Sequence, residues 1–434
     1  MDSDSLRRVV AEWLEEFELP SGTRRNLPFG GIENLNDILV LVGPRRSGKT
    51  YYMYQLIRDL LSKGNCTKAD ILFVDFEDFR FSGFEAGHVE KLFVIFRELG
   101  GRKPAYLFFD EVQRLEGWDR VLRTLHNKGE YKIIVSGSNS QLLSSEITTR
   151  LHGRFRDLLI LPYSFAELLQ REGIAYSQRT PYTSARGDVL RIFDAYLSGG
   201  GFPAIVSQAS LLERGRTLQS YYRTIFYKDV VERYNIRARR LLEQVMSECL
   251  ACQSNLFSIS KFEKQLKHHG QPGSKRTIAN YLSHLEDAFF IITNEKFSFS
   301  QRRRSMNPVK TYLIDNGFSS LLGPRTENRG DLLENAVALH LFRNEREMFY
   351  SKQARECDFV IVEGTKPSRA IQVCWELNQR TQRREVDGLM EAMKTFGIGQ
   401  ALILTYDQTE TINVDGKSVP VLPVWRWLVD EKAL

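Results

Sequence analysis

Residues 43–50 read Gly43-Pro44-Arg45-Arg46-Ser47-Gly48-Lys49-Thr50. An apolar run, Ile38-Leu39-Val40-Leu41-Val42, precedes them, and a segment with helical spacing, Tyr51 to Leu61, follows. Strand, glycine loop, helix is the order required by a phosphate-binding loop of the form G-x-x-x-x-G-K-[ST]. Gly43 and Gly48 let the backbone turn so that successive N–H groups face one cavity. The helix behind them adds its positive N-terminal end. Residues Gly43, Pro44, Arg45, Arg46, Ser47, Gly48, Lys49 and Thr50 therefore form the expected phosphate cradle. Lys49 reaches the outer phosphates as a point charge, and Thr50 offers a hydroxyl to Mg²⁺.

Outward from this loop, apolar strands alternate with helical patterns. The strands are expected at 38–42, 71–75, 105–110, 132–136 and 158–161. Nearly unbroken apolar strands belong to a parallel sheet covered on both faces, with ligands at the strands' carboxyl ends. The third strand ends in Asp110-Glu111. In the chemistry of triphosphate hydrolysis Asp110 holds Mg²⁺ and Glu111 polarises the attacking water. A competing acidic set, Asp75, Glu77 and Asp78, follows the second strand and ranks below it. The fourth strand ends in Ser136-Gly137-Ser138-Asn139-Ser140, where Ser138 and Asn139 can touch the γ-phosphate or cap the next helix. Before the fifth strand stands Thr149-Arg150-Leu151-His152-Gly153-Arg154-Phe155-Arg156. A guanidinium from this stretch, Arg154 first and Arg150 second, can stabilise transition-state charge in a neighbouring subunit.

The phosphate loop, Phe108-Phe109-Asp110-Glu111-Val112-Gln113, Ser-Gly-Ser-Asn-Ser, and His152-Gly153-Arg154-Phe155 followed by Leu161-Pro162-Tyr163-Ser164-Phe165-Ala166-Glu167 resemble one family. It is that of archaeal and bacterial AAA+-type ATPases carrying a C-terminal domain of unknown function. The resemblance runs over nearly the whole chain and implies ATP as ligand, Mg²⁺ as cofactor and hydrolysis as the reaction.

The chain has 434 residues, 42% apolar and 26% charged, the profile of a globular protein with room for about three domains. No run of about 18 apolar residues exists, so no membrane helix is expected. The polar, acidic N-terminus lacks a signal-peptide core, and cytoplasmic residence is the expectation. Five scattered cysteines argue against a disulfide framework, and the lone pair Cys249 and Cys252 falls inside a helical stretch.

The expected division is an AAA+-type P-loop NTPase core over 1–165, a helical lid over 166–235, a winged helix-turn-helix over 236–325 and a restriction-endonuclease-like α/β domain over 326–434. Residues 5–17 form an amphipathic lead-in helix. Ser198-Gly199-Gly200-Gly201-Phe202-Pro203 breaks the lid in the middle. The net charge of +6 is local: residues 255–312 hold ten Lys/Arg against four Asp/Glu. There, three helices precede a hairpin whose basic turn is Gln301-Arg302-Arg303-Arg304. The third helix buries Ile278, Tyr281, Leu282 and Leu285 and leaves Lys275, Arg276, Asn280 and His284 outside. Lys275, Arg276, Arg302, Arg303 and Arg304 are the candidate contacts to double-stranded DNA. A winged domain used only for protein packing is the alternative.

In the last domain, Glu334 on a helix and Asp358 on a strand fit two positions of a nuclease metal site. Gln372-Val373-Cys374 stands where an acid and a lysine belong. The expectation is a nuclease fold without nuclease chemistry, with Glu376 or Glu385 as relocated ligands in the active alternative. Overall, the sequence reads as a Mg²⁺-dependent AAA+-type ATPase acting as a homo-oligomer on DNA or a DNA-bound partner. Two other readings stay open: a DNA-binding switch with slow turnover, and an ATP-regulated nuclease.

Overall fold

The computed structural model describes residues 3–27, 29, 31–64, 66–137, 151, 153–304, 307–323 and 329–430. Ser138, Asn139 and Arg150 lie outside the described residues. The chain divides into two compact units, Met1–Leu161 and Pro162–Leu434.

The first unit opens with α1 (Ser3–Ala11), which continues as a π-helical turn, Glu12–Glu16. Its apolar stripe, Leu6, Val10 and Trp13, is buried, and Trp13 Nε1 donates to the Ile71 carbonyl at 2.7 Å. Then follow β1 (Ile38–Val42), α2 (Lys49–Ser62), β2 (Ile71–Asp75), α3 (Val89–Glu98), β3 (Tyr106–Asp110), α4 (Trp118–Asn127), β4 (Lys132–Gly137) and β5 (Phe155–Leu159). All five strands are parallel, in the order β2-β3-β4-β1-β5. Every residue of β1 is buried, which is why that segment tolerates no polar side chain. The fifth strand corrects the expected 158–161. It begins earlier, at Phe155, and exposes Arg156 and Asp157. An edge strand accepts polar residues that a search for apolar runs passes over.

In the second unit, α5 (Phe165–Arg171) starts at a capping box between Ser164 and Glu167. It is followed by α6 (Ala185–Gly199), a short helix Pro203–Val206, and α7 (Leu211–Thr224), which runs into the π-helical stretch Ile225–Glu232. The glycine break after α6 is closed by Asp315. Its carboxylate accepts the Gly201 N–H at 2.7 Å and the Gly317 N–H at 2.9 Å. A Cβ on Gly200 would lie 1.7 Å from that carboxylate, so side chains are excluded there.

Next come α8 (Arg239–Ala251), β6 (Asn255–Phe257), α9 (Ile259–His268), α10 (Lys275–Asp287), β7 (Ile291–Asn294) and β8 (Val309–Leu313). The three strands form an antiparallel sheet in the order β6-β8-β7. Gln301–Arg304, read from sequence as a turn, is a short helix between β7 and β8. Helix α10 buries Ile278, Tyr281, Leu282 and Leu285 as its spacing requires. His284, expected outside, is half-buried and stacks on Tyr234 with ring centroids 3.7 Å apart.

The chain ends with α11 (Arg329–Arg343), β9 (Glu347–Lys352), β10 (Glu356–Glu363), β11 (Lys366–Val373), α12 (Gln382–Phe396), β12 (Gln400–Thr405), β13 (Glu410–Val414) and β14 (Lys417–Pro423). These strands form a six-stranded mixed sheet, β13-β14-β12-β11-β10-β9. The pair β10–β11 is antiparallel, whereas β11–β12 is parallel and is crossed by α12. No helix among the described residues is long and apolar enough to cross a membrane.

Candidate nucleotide site

The phosphate loop turns off the carboxyl end of β1. Gly43 has φ +148°, and a Cβ there would lie 2.1 Å from the Ile160 carbonyl oxygen. Gly48, immediately before α2, has φ +100°. These two positions need glycine for different reasons, the first for close approach and the second for backbone hand. Lys49 is buried at the start of α2, and its Nζ donates to the carbonyls of Gly43 and Pro44, each at 3.0 Å. The ammonium is thus held over the loop and lies 4.0 Å from Glu111 Oε1.

Two strands away, β3 delivers Asp110. Its Oδ2 accepts the Thr50 hydroxyl at 2.6 Å, and its Oδ1 accepts the Ser136 hydroxyl from the tip of β4. Ser136 Oγ in turn accepts the Glu111 N–H at 3.0 Å. Burial pushes the Asp110 carboxyl up, and the Ser136 and Thr50 bonds oppose the push. Glu111 takes the left-handed conformation, φ +48° and ψ +47°. The Gln113 amide donates to its Oε2. Non-glycine residues adopt that hand rarely, and here it turns the chain sharply just after the strand.

The competing acids stand farther out. Asp75 is paired in register with Asp110 on the outer strand β2, and burial raises it to about 6. Burial also works against Glu77, yet bonds from Arg45 at 3.1 Å and Arg114 at 3.2 Å hold it below the usual range. Arg45 therefore turns toward Glu77.

One residue was missed in the sequence. Arg25 is 5% exposed, with Nη1 donating to the Ser47 carbonyl at 3.0 Å and Nη2 to the Leu161 carbonyl at 2.8 Å. It braces the loop from behind. Nothing in the Arg24-Arg25 pair marks which arginine is buried. Arg154 is not gathered with these groups. Its carbonyl accepts the Ile38 N–H at 3.1 Å, at the amino end of β1, and its guanidinium donates to Asn127 at 2.6 Å. The phosphate loop leaves the opposite, carboxyl end of the same strand.

In the second unit, Lys275 and Arg276 are exposed on the first turn of α10, which Ser274 caps by accepting the Thr277 N–H at 3.1 Å. Arg302 is exposed, and the side chain of Arg303 lies outside the described residues. Arg304 is turned inward. Its guanidinium lies 4.3 Å from the Phe349 ring centroid and 5.6 Å from that of Phe297, with Nε donating to the Ser298 carbonyl at 2.6 Å.

Glu334 and Asp358 do come together, joined by one of the ten basic residues of 255–312. Lys310 Nζ lies 2.9 Å from Glu334 Oε1, 2.8 Å from Asp358 Oδ1 and 2.8 Å from Glu356 Oε1. The Tyr312 hydroxyl donates to the same Glu334 oxygen at 2.8 Å. Burial and the neighbouring Asp358 push the Glu334 carboxyl well up. Gln372 donates to Glu385 at 2.6 Å, Glu376 is exposed, and Cys374 is a buried free thiol. Among the described residues no group of three or more His, Cys, Asp or Glu is placed to hold a metal ion.

Comparison with known proteins matches an AAA domain to residues 35–169 and a domain of unknown function to residues 190–328. The chain is 32% identical over 403 residues to the uncharacterized protein MJ1544 of Methanocaldococcus jannaschii, spanning 90% of this chain and 88% of that one. It is 27% identical over 397 residues to an uncharacterized protein of Haemophilus influenzae, spanning 90% and 94%. Among solved structures it is similar to AMPPCP-bound DnaA from Aquifex aeolicus, at 14% identity and a TM-score of 0.26 over 59% of this chain and 84% of that one. It is also similar to the Aeropyrum pernix ORC1 protein in complex with DNA, at 14% identity and a TM-score of 0.28 over 72% and 88%.

Proposed function

This chain belongs to the same family as MJ1544 and carries an AAA domain over residues 35–169, and on that premise we propose that it binds ATP with Mg²⁺ and hydrolyses it. The observation that carries the reading is the Thr50–Asp110 bond of 2.6 Å beside Lys49 and Glu111. A hydroxyl and a carboxylate are hard oxygen donors and fit Mg²⁺, which when bound would neutralise charge on the β- and γ-phosphates. The residues divide the remaining work. Gly43 to Gly48 present backbone N–H groups to the phosphates, and Lys49 leaves its two carbonyl partners for the β/γ oxygens. Glu111, buried against the lysine yet still partly open to solvent, takes the proton of the attacking water on its carboxylate. Arg154, at the far end of β1 from its own loop, serves a neighbouring copy, so the working form is a homo-oligomer. Ser138 and Asn139 keep the phosphate-sensing role proposed from the sequence.

We read the segment α8–β6–α9–α10–β7–β8 as a winged helix and the following sheet as a nuclease-like domain. The exposed Lys275 and Arg276 support contact with the phosphates of duplex DNA. The domain limits 1–165, 166–235, 236–325 and 326–434 are part of the same proposal. The test is steady-state phosphate release alongside nucleotide binding. Lys49→Ala is expected to abolish binding. Glu111→Gln is expected to keep binding and lower turnover about 100-fold or more. Wild-type turnover by Glu111→Gln would refute the role given to that carboxylate.

A further inference from the structure

We infer that Lys310 is the resident cation of the nuclease-like domain: its ammonium occupies the carboxylate cluster where that fold would hold a divalent metal, and so closes the site to metal-dependent chemistry. This goes beyond the ATPase proposal and rests on the reading of the six-stranded sheet as a nuclease-like domain. The lysine comes from β8, whereas the carboxylates come from α11 and the start of β10, so the cluster is completed only when the small sheet meets the larger one.

The geometry leaves little for a metal to use. Lys310 is 1% exposed, and its three donor directions are taken by Glu334, Asp358 and Glu356 at 2.8–2.9 Å. The outer oxygen of Asp358 accepts the Val373 N–H at 2.9 Å. Glu334 Oε1 is shared by Lys310 and the Tyr312 hydroxyl. Gln372, where a metal-binding acid belongs, is turned to the Asp358 N–H at 3.3 Å and to Glu385 at 2.6 Å. The residues present therefore do not fit a nuclease metal ion. They fit a tethered ammonium, which supplies one positive charge and three donors in the place of two charges and an open coordination shell. Glu356 is fixed in turn by close packing: a Cβ on Gly388 of α12 would lie 2.0 Å from its carbonyl oxygen.

The test uses the full, nucleotide-free chain and Mn²⁺ as probe. Thermal unfolding of the wild type is expected to be the same in EDTA and in millimolar Mn²⁺, and Mn²⁺ paramagnetic titration is expected to find no site that Asp358→Asn removes. Lys310→Ala leaves three carboxyl groups without their cation. Its midpoint is expected to fall by on the order of 10 °C in EDTA and to recover in Mn²⁺. A variant destabilised equally in EDTA and Mn²⁺ would mark an ordinary ion pair and overturn the inference. So would Asp358-dependent Mn²⁺ binding, or Asp358-dependent plasmid cleavage, by the wild type. Those wild-type measurements keep the inference refutable even if Lys310→Ala fails to fold.

Discussion

Asp315 carries a buried carboxyl group with three backbone partners, the N–H groups of Gly201, Phe202 and Gly317, and the positive charge of Arg343 acts on it as well. Burial raises it to about 7, against the pull of those bonds. The folded chain therefore binds this proton more tightly than the unfolded chain does. Its contribution to stability is full below about pH 4 and is lost as pH rises toward 7, by up to about 4 kcal/mol. We expect Asp315→Asn to flatten the dependence of the apparent unfolding midpoint on pH across that window while lowering stability overall, because the amide cannot accept from both glycines. A slope unchanged from the wild type would refute the assignment. Residues of this sort mark how far a sequence can be read. The phosphate loop, Asp110 and Glu111 were legible because their chemistry is written in local spacing. Asp315 and Arg25 were not, because an acid or an arginine in a loop has no period, and only the fold shows which backbone groups converge on it.

At the scale of elements, the pattern of apolar positions read α10 correctly down to its four buried residues and its Ser274 cap, since a helix of this length repeats its face several times. The same reading failed where an element is short or one-sided. The fifth strand was shifted by its exposed Arg156 and Asp157, and Gln301–Arg304 passed for a turn because a charge run hides a single helical turn. The latter error matters for function. Arg304 is half-buried and packs on two phenylalanine rings, whereas Lys275 and Arg276 on α10 are exposed. We expect Lys275→Glu with Arg276→Glu to weaken duplex DNA binding at least about tenfold in fluorescence anisotropy and to reduce the salt slope by about 2. Equal affinity and equal slope would leave this segment as a protein-packing module, the alternative noted from the sequence.

Across the whole molecule, the two compact units differ in how their sites are assembled. The first unit builds its site from neighbouring strand tips and one loop, so its residues stand in recognisable motifs. The second joins Lys310 to groups 24 and 48 positions away, a match that no motif encodes. The cluster of positive charge counted over 255–312 also overstates the surface, since Lys310 is wholly enclosed. That enclosure has a consequence for how the chain can diverge. Deleting one partner of a buried ionic group strands the others, at a cost of about 3–5 kcal/mol, whereas exchanging the whole group for well-packed apolar residues is often neutral. Lys310, Glu334, Asp358 and their neighbour Glu356 should therefore behave as one inherited character. In an alignment of relatives they should be retained together or replaced together, and relatives that lack the lysine alone should have regained an acid at the position of Gln372.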